Sequence, residues 1–394
     1  MQTGMNLQEL LTTVMAQNAE KRDFVTSTRD NIRMVVDPGQ PLNVASNDSD
    51  PEPSKSLKII MLKEGAPELD RFGLTTNAHR QIASRLEIPW AYYKRLTHDY
   101  PELLCENVNN FFEREPKKRL LRVLGENVRA FLSDRYRPLD NQEVLEMTLP
   151  AVMQNPEGEH IPSTVLGGNL TSDHMNLKVL FEGDHLKHEI TTRTRTGEPR
   201  IIQPGFRLTN SETGSGSLKF EAFFYDGYCL NGCVFGKREG FSFSRNHIGG
   251  ALIEGVDYEV ISDETRELQD RAIISQVADG IKAISDPVFV TQMAQQLKQA
   301  AQSEQVQQPG AAVDTAVREL DLRESEKESI LMTFLQDADY SQFGLASAVT
   351  SVANDPSKAD YSRANELENV GGKILSLSLA EWSRDYVHAV PIAA

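Results

Sequence analysis

Apolar residues recur at three- and four-residue spacing through Leu7, Leu10, Leu11, Val14 and Met15. This is the stripe of an amphipathic helix, and it predicts one over 5–25 with Asn6 as its N-cap. Short strands are predicted at 32–36 and 57–62. Between them, 43–55 is polar, rich in Pro and Ser, and without periodicity, so it reads as a loop. Over 74–96 the stripe Ala78, Ile82, Ala83 and Leu86, a cap at Thr75 or Thr76 and Pro89 opening a second segment predict helix, turn, helix. Another helix is predicted over 101–112. Strands at 120–124 and 128–132 flank the turn Gly125-Glu126-Asn127, and Asp140 then opens a helix over 141–153. Further strands are predicted at 163–166, 175–181 and 188–194.

Residues 205–250 read as a β meander. Phe206-Arg207-Leu208 and Leu218-Lys219-Phe220-Glu221-Ala222-Phe223 alternate with the two-residue period of half-buried strands, around a loop Asn210–Gly216 of turn-forming residues. A second turn is predicted at Tyr225-Asp226-Gly227, and Asn231-Gly232 is the strongest hairpin signal in the chain. From 262 onward the pattern is helical, broken at Pro287. The Gln- and Ala-rich stretch 295–308 ends at Pro309-Gly310, which predicts a projecting helix and a hinge. Shorter helices follow at 311–320, 324–336, 344–354 and 362–377. The expected class is α+β: a central, mainly antiparallel sheet with packed helices and a helical C-terminal segment. The expected organisation is an N-terminal helix and loop (1–56), an α+β core (57–260) and an acidic helical region (261–394).

Charge changes this picture in one respect. The chain carries 41 Lys and Arg against 57 Asp and Glu, a net −16. The acidity is concentrated late: 12 against 15 in residues 1–110, 18 against 18 in 111–250 and 11 against 24 in 251–394. The neutral middle is compatible with a polyanion, and the acidic last third with a protein partner or a self-masking role. No apolar run approaches the roughly 20 residues that cross a bilayer, and the N-terminus lacks the pattern of a secretory signal. Three cysteines argue against a disulfide framework. A cytoplasmic protein is expected, or one of the host cytoplasm if phage-encoded.

Candidate chemistry gathers around the 119–133 hairpin. Arg119, Arg122, Arg129, Arg135 and Arg137 surround Tyr136, and Arg193 and Arg195 follow on alternate residues. Arg122 and Arg129 flank one turn, which allows them to share a face. Cations beside an aromatic ring suit a phosphate backbone and a stacked base. The interleaved Glu113, Glu115, Glu126 and Asp134 equally suit a salt-bridged, solvated face. The 74–96 unit is either a helical hairpin packed on a sheet or a DNA reader presenting Lys94 and Arg95. The histidines form no metal signature, since His185 and His188 fall in a strand-and-turn context with His174 unsupported nearby. Gly214-Ser215-Gly216 lacks the third glycine and following helix of a dinucleotide fingerprint. A Cys229 nucleophile with His247 as base, or Mg²⁺ between Asp134 and Asp140 or between Asp173 and Glu182, are the remaining enzymatic readings. No cofactor is called for.

The order of short motifs carries a resemblance. Arg129-Ala130-Phe131-Leu132-Ser133-Asp134-Arg135-Tyr136, Asn210-Ser211-Glu212-Thr213-Gly214, Cys229-Leu230-Asn231-Gly232, His247-Ile248-Gly249 and Gly344-Leu345-Ala346-Ser347-Ala348-Val349-Thr350 together make the chain similar, over about 25–380, to the phage/plasmid-like protein family of unknown function. The resemblance implies a bacteriophage, prophage or plasmid context. It supplies no established catalytic residues and marks Asn210, Ser211, Gly214, Cys229, Asn231, Gly232 and His247 as motif positions. Cys233 and the 43–55 loop depart from it. The leading expectation is nucleic-acid binding without chemistry, in the manner of single-strand annealing recombinases, with single-stranded DNA as partner and a homo-oligomer as the assembly. The alternative is an interaction protein whose acidic exterior occupies a host defence factor.

Overall fold

The computed structural model describes residues 5–37, 56–61, 70–153, 162–226, 231–234, 242–246, 263–353, 355, 357–359 and 361–389. The α+β class holds, but the predicted strands divide between two sheets, one mixed and one antiparallel.

Helix α1 (Leu7–Glu20) starts at the predicted cap: Asn6 accepts from Glu9 N, and the Glu9 carboxylate returns the bond. It ends early. Lys21–Ser27 form strand β1, in which Phe24 and Thr26 turn inward and Val25 outward. α2 (Thr28–Asn31) leads to β2 (Ile32–Asp37), β3 (Ser56–Met61) and β4 (Asp70–Leu74). There follow α3 (Thr76–Arg85), α4 (Trp90–Asp99), α5 (Pro101–Arg114) and the hairpin β5 (Lys118–Leu124) and β6 (Asn127–Ser133). The first sheet runs β1-β5-β6-β4-β3-β2. Its two edge strands are joined by only the 4 residues of α2. At about 3.5 Å per residue such a link demands a curled sheet. α5 fills the gap: the Asn109 amide donates to Met34 O (2.9 Å) and accepts from Met34 N (2.8 Å), standing in for a strand at the β2 edge. The α3–α4 turn places Glu87 at φ 55°, the left-handed position usually held by glycine. Inside, Ile59, Leu74, Ile82, Val108, Leu121 and Phe131 form the core. Cys105 is buried there as a free thiol, pushed up to about 12 by desolvation.

The second sheet follows α6 (Asn141–Met153). It comprises β7 (Ser163–Leu170), β8 (Met175–Phe181), β9 (His188–Ile190), β10 (Arg200–Asn210), β11 (Ser217–Asp226), β12 (Asn231–Val234) and β13 (Ser242–Asn246). Its order is β12-β11-β10-β8-β7, with β9 on β10 and β13 on β11. Asn231 and Gly232 pair with Asp226 and Tyr225 as strand residues. Asn231-Gly232 is therefore not the hairpin turn that its residue types suggest. α7 (Asp263–Ile284) and α8 (Pro287–Ala301) join α1 and α6 on one face. Asp286 caps α8 with Pro287 at its first position, so the predicted break at Pro287 is a helix start. α8 does not project: Val290, Ala294, Leu297 and Ala301 are buried in this core. The Gln-rich positions lie on its other side.

α9 (Pro309–Glu319), α10 (Glu324–Asp337), α11 (Gln342–Val352), α12 (Tyr361–Leu375) and α13 (Leu379–Trp382), which runs on into Ser383–Val387, form a helical unit with its own core around Phe334, Leu345, Leu367 and Trp382. α11 is buried nearly all round and carries the Gly344–Thr350 motif. The unit docks through α12 on the opposite face of the second sheet. There Lys178, Arg207 and Glu221 stand side by side on β8, β10 and β11, and Glu368 of α12 bonds Lys178 (2.8 and 2.9 Å) and Arg207 (3.2 Å). Among the described residues no helix is long and apolar enough to cross a membrane.

Candidate nucleic-acid interface and the ionic centre beside it

Arg122 and Arg129 do share a face, and it points inward. A β-bulge explains how: Arg122 pairs with Ala130 and Val123 with Val128, leaving Arg129 as the extra residue of β6. The bulge turns Arg129 to the side occupied by Arg122. Each residue is 1% exposed. Arg122 Nε donates to both oxygens of Asp23 (3.0 and 3.1 Å), Nη2 to Asp140 (2.8 Å) and Nη1 to the Glu212 carbonyl (2.8 Å). Burial opposes its charge, but Asp140 and Asp23 outweigh it and hold the guanidinium above its usual pKa. Against the same burial, Arg122 and Lys21 hold the Asp140 carboxyl below the ordinary range.

Glu212, 1% exposed, is the hub of this centre. Its carboxylate accepts from Lys21 Nζ on β1 and from Asn141 N at the start of α6 (2.7 Å). Arg129 Nη1 lies 2.7 Å from its other oxygen, at an angle that is not a hydrogen bond. Arg129 Nη1 also donates to Ser172 O (3.2 Å), while its Nε and Nη2 are buried without hydrogen-bond partners. The 211–216 loop thus fastens the second sheet to the open face of the first. Gln81 on α3 reinforces the joint by donating to Thr213 O (2.7 Å) and accepting from Phe131 N (2.7 Å). Asn210 donates to Leu139 O and Asn141 Oδ1, both at 2.8 Å.

Outside Glu212 the loop gathers its hydroxyls around Ser215. Ser215 Oγ lies 2.9 Å from Ser211 Oγ, 3.0 Å from Thr213 Oγ1 and 3.2 Å from His174 Nε2. Ser211 and Thr213 are buried; Ser215 and His174 are exposed. Gly214 takes φ 72°, and its missing Cβ leaves room for Leu132 and Tyr136. Burial lowers the His174 pKa, with Lys219 adding to the shift and Asp173 opposing it. Burial raises Asp173, whose Oδ1 has no hydrogen-bond partner.

The cations that reach solvent sit next to this loop. At one end of the first sheet Lys118 pairs with Ser27 and Arg119 with Ser133, so Lys117, Lys118, Arg119 and Arg135 come together beside Arg114 at the end of α5. Arg119 lies over the Phe131 ring at 5.9 Å. Burial lowers its pKa, and the nearby Arg85 of α3 lowers it further against the pull of Asp134. Tyr136 and Arg137 are half-buried between this end and the loop, and burial raises the Tyr136 hydroxyl.

Arg193 and Arg195 belong elsewhere. Arg193 donates to Gln302 O and Ser303 O beyond the end of α8, and Arg195 N donates to Asp337 O. The 74–96 unit packs on the first sheet, with His79 and Tyr93 bonded inside it (2.9 Å) and Arg80 over the Trp90 ring. Cys229, His247 and the 43–55 loop lie outside the described residues, and Asn231 and Gly232 are described as strand backbone. Among the described residues no three His, Cys, Asp or Glu side chains gather as a metal site. The sequence reading missed Glu212, His174 and Ser215 as a set. The available signal was a Ser- and Thr-rich loop and the Thr171–His174 turn, brought together because Asn210 pairs with Met175. Comparisons with family models, curated proteins and solved structures return no match.

Proposed function

We propose that this protein binds single-stranded nucleic acid along the basic end of its first sheet, in the service of a bacteriophage or plasmid. The observation that carries the reading is the end of β5, where Arg119 stands over the Phe131 ring with Arg85 of α3 and Asp134 near it. Lys117 and Lys118 extend the positive strip, and Tyr136 supplies a ring at its margin. Arg122 and Arg129 act as fasteners behind this surface and touch no ligand.

Fluorescence anisotropy of a labelled single-stranded oligonucleotide, at two salt concentrations, tests the reading. Arg85→Ala and Arg119→Ala are expected to weaken binding several-fold each and to reduce the log–log salt slope by about 0.7 per lost phosphate contact. Absence of binding at low salt, or binding indifferent to the double variant, overturns it.

A further inference from the structure

The hydroxyl cluster at Ser215 is not needed for the fastening role of its loop. Glu212 and the Thr213 carbonyl make the inter-sheet contacts. Ser215 makes none across the joint, and meets His174, which opens the neighbouring strand β8, at the surface. Three features are those of an activated hydroxyl. The ring nitrogen lies within hydrogen-bond reach of Oγ. Partial desolvation on its packed side lowers the pKa of the imidazole and Lys219 adds to the shift, while Asp173 opposes it and is placed to attract the imidazolium once formed. Ser211 Oγ at 2.9 Å and Thr213 Oγ1 at 3.0 Å fix the position of the Ser215 hydroxyl. Gly216 makes the approach possible, because a Cβ there would stand 3.0 Å from His174 Cε1. Gln81 on Thr213, and Leu132 and Tyr136 against Gly214, join this loop to α3 and β6, the elements that also carry Arg85 and Ser133, the partner of Arg119.

We propose that Ser215 and His174 form a nucleophile–base pair that attacks the phosphorus of a phosphodiester, a substrate class that rests on the nucleic-acid reading above. His174 Nε2 takes the proton of Ser215 Oγ as the Oγ–P bond forms. The bond from phosphorus to the leaving sugar oxygen breaks, and that oxygen receives the proton from the imidazolium. The products are a phosphoryl ester on Ser215 and a free sugar hydroxyl, with no change of oxidation state. Asp173 and Lys219 face the imidazole, and Arg129 and Glu212 stand behind Asp173.

An organophosphorus fluoridate tests the pair without nucleic acid, since Oγ–P forms, P–F breaks and the proton remains with His174. The full-length protein is treated with the reagent and followed by intact mass and peptide mapping. The expected result is one adduct, on Ser215, absent in Ser215→Ala and formed roughly 100-fold more slowly in His174→Gln. Gly216→Ala, which pushes the imidazole away, is expected to slow it as well. The rate is expected to rise with pH through an inflection below the ordinary histidine value. No adduct on Ser215, or an undiminished rate in His174→Gln, overturns the pair. A saturating single-stranded oligonucleotide is expected to protect Ser215. Labelling that it fails to slow overturns the phosphodiester assignment, whereas a protein that labels but binds no oligonucleotide in anisotropy contradicts only the nucleic-acid reading.

Discussion

Two of the ionic clusters buried between packed units among the described residues are built differently. The one between the second sheet and the helical unit is closed. Lys178 and Arg207 face Glu221 and Glu368, and Asn369 also accepts from Arg207 at 2.8 Å. Each cation has a carboxylate within hydrogen-bond distance, and the row lies beneath α12. The cluster around Glu212 has more charges, with Lys21, Asp23, Arg122, Arg129 and Asp140 about it, but is left open. Two nitrogens of Arg129 and one oxygen of Asp173 are buried without hydrogen-bond partners, and the hydroxyls of Ser211, Thr213 and Ser215 lie on the same loop. Fully paired buried polar groups specify how two elements sit together; partly paired ones cost stability and mark a place with another use. The first cluster is a dock, and the second combines a dock with a site.

The contrast is most strongly stressed by removing each hub. Glu212→Ala strands Lys21 and Arg129 between the sheets and removes the acceptor of Asn141 N, so it is expected to cost about 4 kcal/mol. Glu368→Ala is expected to cost less, about 3 kcal/mol, because Glu221 still holds Arg207. Hydrogen exchange read by segment separates the two. Glu212→Ala is expected to expose β1, β5 and β6, and Glu368→Ala to expose α12. Identical exchange patterns in both variants would mean the clusters do not belong to separate joints.

How much of this was legible in the sequence depends on distance along the chain. The β5–β6 hairpin and α6 are written locally, in alternation, a turn at Gly125 and a helical stripe, and they emerge as read. So does the shared face of Arg122 and Arg129. Its direction was not readable, because the acceptors that bury it include the Asp23 carboxylate and the Glu212 carbonyl, at sequence separations of 99 and 90 from Arg122. The early end of α1 is a similar case. Lys21 and Asp23 continue a passable helix, and only pairing with β5 and the pull of Glu212 make them a strand. Asn231-Gly232 carries the local chemistry of a turn, but pairing with β11 places both residues inside a strand. Ser215 and His174 meet only because β8 lies beside β10, while β9 intervenes in sequence.

A pH scan sharpens the comparison, because the first sheet holds a titrating group that the closed dock lacks. His79 is buried against Tyr93, and desolvation takes its pKa down to about 4 from 6.5. Its folded value lies below its unfolded value, so between these pH values the unfolded chain binds the extra proton. Stability is present above 6.5 and is lost as pH falls toward 4, by about 3 kcal/mol across the window. Asp140 keeps its contribution until the pH drops below 3.8. Exchange at pH 5 is therefore expected to rise in α3, β5 and β6 before it rises in α12, and His79→Gln is expected to remove most of that difference. Uniform loss of protection across both regions would contradict it.

The smallest expected effect bears on whether fastening and site can be uncoupled within one loop. Gly214 lies between Thr213, whose carbonyl is held by Gln81, and Ser215, which meets His174. At φ 72° a side chain is strained, and a Cβ would stand 2.8 Å from Leu132 Cδ2. Gly214→Ala is therefore expected to cost about 1–2 kcal/mol, read as a lowered melting temperature, well below the Glu212→Ala loss. The strain is local to the turn, since Glu212 reaches its partners from the other side of Thr213. If the loop has two separable roles, this variant retains near-native exchange in β1, β5 and β6 while its Ser215 labelling falls. A loss of protection in those strands as large as in Glu212→Ala would instead make the whole loop a single structural unit, with the hydroxyls around Ser215 merely its outer surface.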